Sequence, residues 1–204
     1  MTKIKLCGLR RMEDIEIANE ISPDYVGFVF AKKSRRYVSG EEAFTLRRNL
    51  KRGIIPVGVF VDEKYETIAD LLKWNIIDAV QLHGNEDNEF IEKLRRLTEC
   101  TIIQAFVIKS EEDAIAANKS SADYILLDSG KGSGELFDHG LIKSIERPYF
   151  LAGGLNSVNV QSAVESLHPF GVDASSSLET EGFKDKEKMT AFAEAVRKAD
   201  KNND

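Results

Sequence analysis

Cysteine is nearly absent from this chain. Two thiols, Cys7 and Cys100, in 204 residues build no disulfide framework and have no zinc-ligand spacing. Histidine is almost as scarce. His83, His139 and His168 stand far apart without a metal-ligand motif, so no metal is expected. Long apolar runs are missing as well. None approaches the ~18 residues of a membrane span. Met1-Thr2-Lys3-Ile4-Lys5 passes straight into an alternating stretch with no signal-peptide core. The expectation is a cytoplasmic protein with no membrane partner. Positive charge is not in excess. A net charge of −6 disfavours a nucleic-acid partner, because phosphate backbones attract basic surfaces. No linker or low-complexity segment interrupts the chain, and one domain over residues 1–204 is expected.

What the sequence does contain is alternation. Short apolar runs trade places with amphipathic helical patterns from end to end. The candidate strands are Ile4–Cys7, Tyr25–Phe30, Ile54–Phe60, Ala79–Leu82, Ile102–Val107, Tyr124–Asp128, Tyr149–Ala152 and Gly171–Ala174. Several are rich in Val, Ile, Phe and Tyr, as buried parallel strands are. Ser39-Gly40-Glu41-Glu42 fits a capping box opening a helix with Ala43, Leu46 and Leu50 on one face. Helical spacing also links Phe90, Leu94 and Leu97, then Val160, Ala163, Val164 and Leu167, then Met189, Phe192, Ala193 and Val196. Asp185 is placed to cap the last of these. Lys198–Asp204 is polar apart from Ala199 and is expected to fray. Eight strand–helix units predict an α/β fold, a closed parallel (βα)8 TIM barrel. An open doubly wound sheet is the alternative, but no G-x-G-x-x-G follows the first strand.

Barrels of this kind carry their chemistry at the C-terminal ends of the strands. Here the first strand ends in Cys7-Gly8, the fourth in Gln81-Leu82-His83-Gly84 and the sixth in Asp128-Ser129. The seventh ends in Gly153-Gly154 and the eighth in Ser175-Ser176-Ser177. Glycines permit close backbone approach to a ligand, and free N–H groups at a helix start favour an anion. A helix is expected from about Asn156 or Ser157. Loops seven and eight therefore form the candidate phosphate site, and a small phosphorylated molecule is the expected ligand. A thiol has a pKa of ~8.5, close enough to neutrality for general-base work. Cys7 is thus the candidate base and the more reactive cysteine, whereas Cys100 reads as structural. Asp128 ends a very apolar strand, a setting suited to a proton donor; it could equally cap the Gly-rich turn Ser129–Gly134. Alternation puts Lys5 on the Cys7 face, inside the barrel. A buried lysine needs a partner, and Asp173 on the neighbouring eighth strand is the first candidate.

These segments, with Phe28–Val38, Val57–Phe60, Leu127–Asp138, Gly171–Glu179, Gly182 and Lys184-Asp185, resemble the phosphoribosylanthranilate isomerase family of tryptophan biosynthesis. The resemblance implies a (βα)8 barrel without metal or organic cofactor. It implies an Amadori rearrangement of N-(5′-phosphoribosyl)anthranilate, with Asp128 as general acid and Cys7 as general base. It puts Arg36 against the anthranilate carboxylate, where a guanidinium fork fits, and Gln81 and His83 on the anthranilate side; the other reading of His83 is a hydrogen-bonded loop anchor. Arg35 is expected to face solvent. Three residues depart from the family pattern. Ser133 replaces threonine, His139 replaces tryptophan, and Ser177 replaces a glycine, which would carry strain if φ there were positive. A monomer or homodimer is expected. Two other readings compete: the histidine-pathway isomerase, which would carry a carboxylate at Cys7, and a non-catalytic barrel that binds a phosphorylated ligand.

Overall fold

The computed structural model describes residues 1–129 and 139–202, with the backbone alone at His139. The strands are β1 (Lys3–Cys7), β2 (Tyr25–Val29), β3 (Ile55–Phe60), β4 (Ala79–Leu82), β5 (Thr101–Val107), β6 (Tyr124–Asp128), β7 (Tyr149–Leu151) and β8 (Gly171–Ala174). They close into one parallel barrel in chain order, with β1 hydrogen-bonded to both β2 and β8. Every expected strand is found to within one residue at either end. The connecting helices are α1 (Met12–Ile21), α2 (Gly40–Arg48), α3 (Tyr65–Lys73), α4 (Asn88–Arg95), α5 (Glu111–Asn118), α6 (His139–Ile142) and α7 (Val160–Leu167). After β8 come a 3-10 turn (Ser176–Leu178), a hairpin of β9 (Glu179–Thr180) and β10 (Phe183–Lys184), and α8 (Lys186–Asn202). Among the described residues no helix is long and apolar enough to cross a membrane.

Strand alternation sorts the side chains into two environments. Outward residues such as Ile4, Leu6, Val26, Phe28, Ile125 and Leu127 pack under the helices in the main core. Inward residues form a separate interior cluster with Phe150 at its centre. The Phe150 ring meets Tyr25 at 5.5 Å, Tyr124 at 5.9 Å and Phe170 at 5.3 Å, all edge-on. This aromatic plug closes the floor. Above it the inward positions become polar: Lys5, Gln81 and Asp173, then Cys7 and Asp128 at the upper rim. Apolar floor and polar rim thus follow from one two-residue period.

The Ser39 capping box forms as expected, with Ser39 Oγ accepting from Glu42 N–H. Asp185 caps α8 by accepting from Lys188 N–H at 3.1 Å. Three details differ from expectation. In α4 the buried pair is Ile91 and Leu94, while Leu97 lies past the helix end and is exposed. Helix α7 starts at Val160, because Asn156 and Asn159 fold residues 156–159 into a turn of side-chain-to-backbone bonds. The polar tail is helical through Asn202 and carries buried Ala199 and Asp200. Asp200 has a reason to be inside. Its Oδ1 accepts from Thr2 N–H at 2.9 Å and from Thr2 Oγ1 at 2.7 Å, while Arg197 donates to the Thr2 carbonyl at 2.8 Å. This clamp ties α8 to the start of β1, beside the seam where the barrel closes.

Replacing Asp200 with Ala leaves buried donors of Thr2 unpaired. The expected cost is ~1–3 kcal/mol, lowering Tm by roughly 2–4 °C per kcal/mol for a chain of this size. A thermal melt followed by circular dichroism checks this, and an unchanged Tm would mean that α8 does not hold the seam.

Candidate active site

A cavity of ≈ 450 Å³ opens at the C-terminal end of the barrel. All ten residues expected at the site line it. Cys7 and Asp128 face it from β1 and β6, Gln81 and His83 from the end of β4, and Arg36 from the loop after β2. Gly153 and Gly154 line it after β7, and Ser175, Ser176 and Ser177 after β8. Sequence reading gives no role to Ser34, Val29 and Val59, which also line it, the two valines packed against Cys7.

Cys7 is held where a larger neighbour could not fit. Its Cα partner on β2 is Gly27, and a Cβ there would lie 2.6 Å from the Cys7 sulfur. Two residues below, Lys5 is completely buried, and its Nζ donates to Asp173 Oδ1 at 2.8 Å. The β1–β8 register sets Lys5 directly opposite Asp173, as alternation predicts. Burial pushes the Cys7 thiol up from its ordinary value, Lys5 and Lys184 pull it down, and Asp173 adds to the rise; the net direction is up. The cation beneath the sulfur is Lys5. Cys100 precedes β5 at the opposite end of the barrel, half-buried and away from the cavity.

Arg36 does not float at the mouth. Its Nε donates to Glu179 Oε1 at 2.5 Å and its Nη2 to Glu179 Oε2 at 2.9 Å, a bidentate fork that leaves Nη1 not engaged by Glu179. Glu179 also accepts from Lys184 Nζ at 2.9 Å and from Arg35 Nη2 at 2.8 Å. Arg35 is largely exposed, as expected, but it is ion-paired. Lys184 donates in addition to the Ser175 carbonyl at 2.9 Å. One carboxylate therefore fastens the loop after β2 to the loop after β8. Burial pushes the Glu179 carboxyl up, but hydrogen bonds from Arg36 and Lys184 outweigh it and hold it below the usual range. Gly8, at φ +80°, lies under Arg36, and a Cβ there would come within 2.4 Å of Arg36 Cδ.

Gly153 and Gly154 both have positive φ, +81° and +73°. At Gly153 a Cβ would stand 2.5 Å from Ser129 N and 2.7 Å from Asp128 Oδ1. The glycine thus lets the seventh loop pass beside the carboxylate that ends β6. Ser175 Oγ donates to the Cys7 carbonyl at 3.0 Å, and Ser177 Oγ donates to the Leu155 carbonyl. Ser177 is not among the residues with positive φ, so the strain considered for a non-glycine there does not arise.

Gln81 is buried, and its carboxamide meets His83 Nδ1 at 2.9 Å through Nε2. Its Oε1 has no partner among the described residues. With Nδ1 accepting, His83 would carry its proton on Nε2. The Gly-rich turn 130–134, Ser133 and Phe137-Asp138 lie outside the described residues, as does the His139 side chain. Among the described residues no group of three or more His, Cys, Asp or Glu is arranged to hold a metal ion.

The profile of the family PRAI, N-(5′phosphoribosyl)anthranilate (PRA) isomerase, matches residues 4–195. An N-(5′-phosphoribosyl)anthranilate isomerase of Acetivibrio thermocellus is 44% identical over 214 residues, covering 98% of both chains. Its counterpart in Clostridium kluyveri is 43% identical over 200 residues, covering 97% of this chain and 98% of the other. The crystal structure of phosphoribosyl anthranilate isomerase from Thermotoga maritima superposes with TM-score 0.88 at 37% identity, over 97% of this chain and 100% of that one. A second structure, of phosphoribosyl anthranilate isomerase in complex with reduced 1-(o-carboxyphenylamino)-1-deoxyribulose 5-phosphate, gives 0.85 at 35% identity, over 97% and 100%.

Glu179→Gln keeps the shape of the hub but removes the charge that fixes Arg36 and Lys184. KM for a carboxylate-bearing substrate is expected to rise about tenfold, near 1.4 kcal/mol, with kcat changed less than ~threefold. Steady-state kinetics on purified protein decides it, and an unaltered KM would detach Glu179 from substrate binding.

Proposed function

Because the chain belongs to the N-(5′-phosphoribosyl)anthranilate isomerase family, we propose that Asp128 and Cys7 are the acid and the base of its reaction. The protein is an isomerase of tryptophan biosynthesis, forming 1-(2-carboxyphenylamino)-1-deoxyribulose 5-phosphate from N-(5′-phosphoribosyl)anthranilate. The observation that supports the role assignment is the single cavity. It brings together at its wall a thiol, a carboxyl, a guanidinium and two glycine- and serine-lined loops.

The substrate carries two anionic ends. Its phosphate is assigned to the backbone N–H groups around Gly153 and Gly154 and to Ser175, Ser176 and Ser177. Its carboxylate is assigned to the free edge of Arg36, with Gln81 and His83 beside the anthranilate ring. The unpaired Gln81 Oε1 is a ready acceptor for a substrate N–H or O–H. Asp128 then protonates the ribose ring oxygen, the C1′–O bond breaks, and the nitrogen lone pair forms the Schiff base. Cys7 as thiolate takes the C2′ proton, and the C–H electron pair moves into C1′=C2′ to give the enolamine. The enolamine then loses its 2′-hydroxyl proton as C1′ takes up a proton, giving the ketone, while the Cys7 thiol gives its proton to solvent and the Asp128 carboxylate takes one back. Each proton step has a residue, so the chemistry calls for no metal or organic cofactor. All proposed groups come from one chain, so a monomer suffices. A Thermotoga maritima relative is described as dimeric, and a homodimer of this chain would work equally well. A cytoplasmic location, the expectation from the sequence, remains part of this reading.

Loss of anthranilate fluorescence on mixing the protein with fresh phosphoribosylanthranilate measures the activity. In that assay Asp128→Asn is expected to lose ~10²–10⁴ in kcat with little change in KM; near-normal turnover would remove Asp128 from the mechanism. The pH dependence follows from the raised thiol. A base with its pKa above the ordinary value is mostly protonated at neutral pH and gains its active form as pH rises. On the acid side kcat/KM should therefore climb with pH, along the same curve as Cys7 alkylation. A profile flat through that range would contradict the role given to Cys7.

A further inference from the structure

The mechanism leaves the buried charge of Lys5 without a task. Lys5 lies inside the barrel with no solvent exposure, two residues before Cys7 on the same face of β1. Its ammonium donates to Asp173 Oδ1 at 2.8 Å, and the Asp173 and Cys7 charges both raise its pKa. We propose that Lys5, fixed by Asp173, is a positioning residue that makes the thiolate form of Cys7, which takes the C2′ proton, less costly to reach. This rests on Cys7 being the base.

The surroundings of Cys7 support it. From β2 and β3 the sulfur meets apolar Val29 and Val59, and Gly27 brings no polar atom. Such walls favour the neutral thiol. The charged groups acting on it are Lys5 from below, Asp173 from β8 and Lys184 from β10, with Arg36 and Asp128 across the same cavity. Lys184 is already shared between Glu179 and the Ser175 carbonyl. Lys5 donates one hydrogen bond, to Asp173, among the described residues. An ammonium carries three donors, so capacity remains for the sulfur above. Burial pulls Lys5 down, but Asp173 and Cys7 outweigh this and hold it protonated above its ordinary value. The pair has a division of labour. Asp173 keeps the cation charged and in place, and the cation offsets the cost of a thiolate against apolar walls. A carboxylate alone in that position would oppose the thiolate.

The test uses the full chain with Cys100→Ser, so that Cys7 is the sole thiol. The iodoacetamide rate at Cys7 is measured against pH, alongside kcat and KM. Lys5→Met removes the cation, and Lys5→Met with Asp173→Asn removes it without stranding a buried carboxylate, which guards against misfolding. Both variants should raise the apparent thiol pKa by about one unit or more, so that alkylation and kcat at neutral pH fall ~tenfold or more. Activity should recover as pH rises, and KM should stay within ~twofold. A purely structural loss would not produce that recovery. A folded double variant with the parent's alkylation curve and kcat would overturn the proposal. Cys7→Ala separates the two readings. If it is inactive while the double variant matches the parent, only the role of Lys5 falls. If it turns over normally, the base assignment falls and the catalytic role of Lys5 with it.

Discussion

A lysine ammonium sealed inside a barrel, with Asp173 as its ion-pair partner, constrains much of what surrounds it. Removing one partner of such a pair typically costs ~3–5 kcal/mol, because the survivor is an uncompensated buried charge. The pair therefore acts as a register pin. Lys5 and Asp173 face each other only when β1 and β8 close in the observed alignment. A slip of one residue would turn Lys5 outward among the helices and bring Leu6 inward. The same alignment sets Cys7 at the rim, with Gly27 beside its sulfur. Closure, interior charge and the placement of the thiol are one arrangement.

A second carboxylate organises the mouth. The chain is acidic overall, and its substrate is anionic at both ends. Attraction must therefore come from local cations rather than net charge. Glu179 gathers Arg35, Arg36 and Lys184 around itself and spends its own charge doing so. The cluster keeps net positive charge beside the cavity, with Arg36 held rigid on two bonds. A fixed guanidinium loses less entropy when it binds than a free one. The hairpin that carries Glu179 and Lys184 is itself held. The Arg10 and Arg11 guanidinium groups each stack 4.7 Å from the Phe183 ring centre, and Arg11 donates to the Lys184 carbonyl.

The barrel was legible because each strand is a short apolar run bounded by turns, and a two-residue period needs only a few residues to declare itself. The helix faces of α2, α7 and α8 were legible for the matching reason at period 3.6. Leu97 was misread because its spacing continues the pattern of Phe90 and Leu94 after the helix has stopped; the buried partner, Ile91, lies one residue off that pattern. The start of α7 was misread because Asn156 satisfies backbone N–H groups with its side chain and delays the helix. In the site, strand ends pointed to Cys7, Gln81, Asp128 and the two loops, and alternation alone pointed to the pairing of Lys5 with Asp173. The hub was not legible. Arg36 and Glu179 are 143 residues apart, and the two-residue strands β9 and β10 have no periodicity to read. Glu181-Gly182, the turn between them with both φ positive, was the one local signal.

The central claim is that the Cys7 sulfur takes the C2′ proton. Single-turnover kinetics with substrate deuterated at C2′ tests it most directly, with the fate of the deuterium followed by mass spectrometry. The parent protein should show a primary isotope effect and release the label. Cys7→Ala should bind the same substrate and leave the label in place over many parental turnover times. Loss of deuterium from Cys7→Ala at the parental rate would contradict the account.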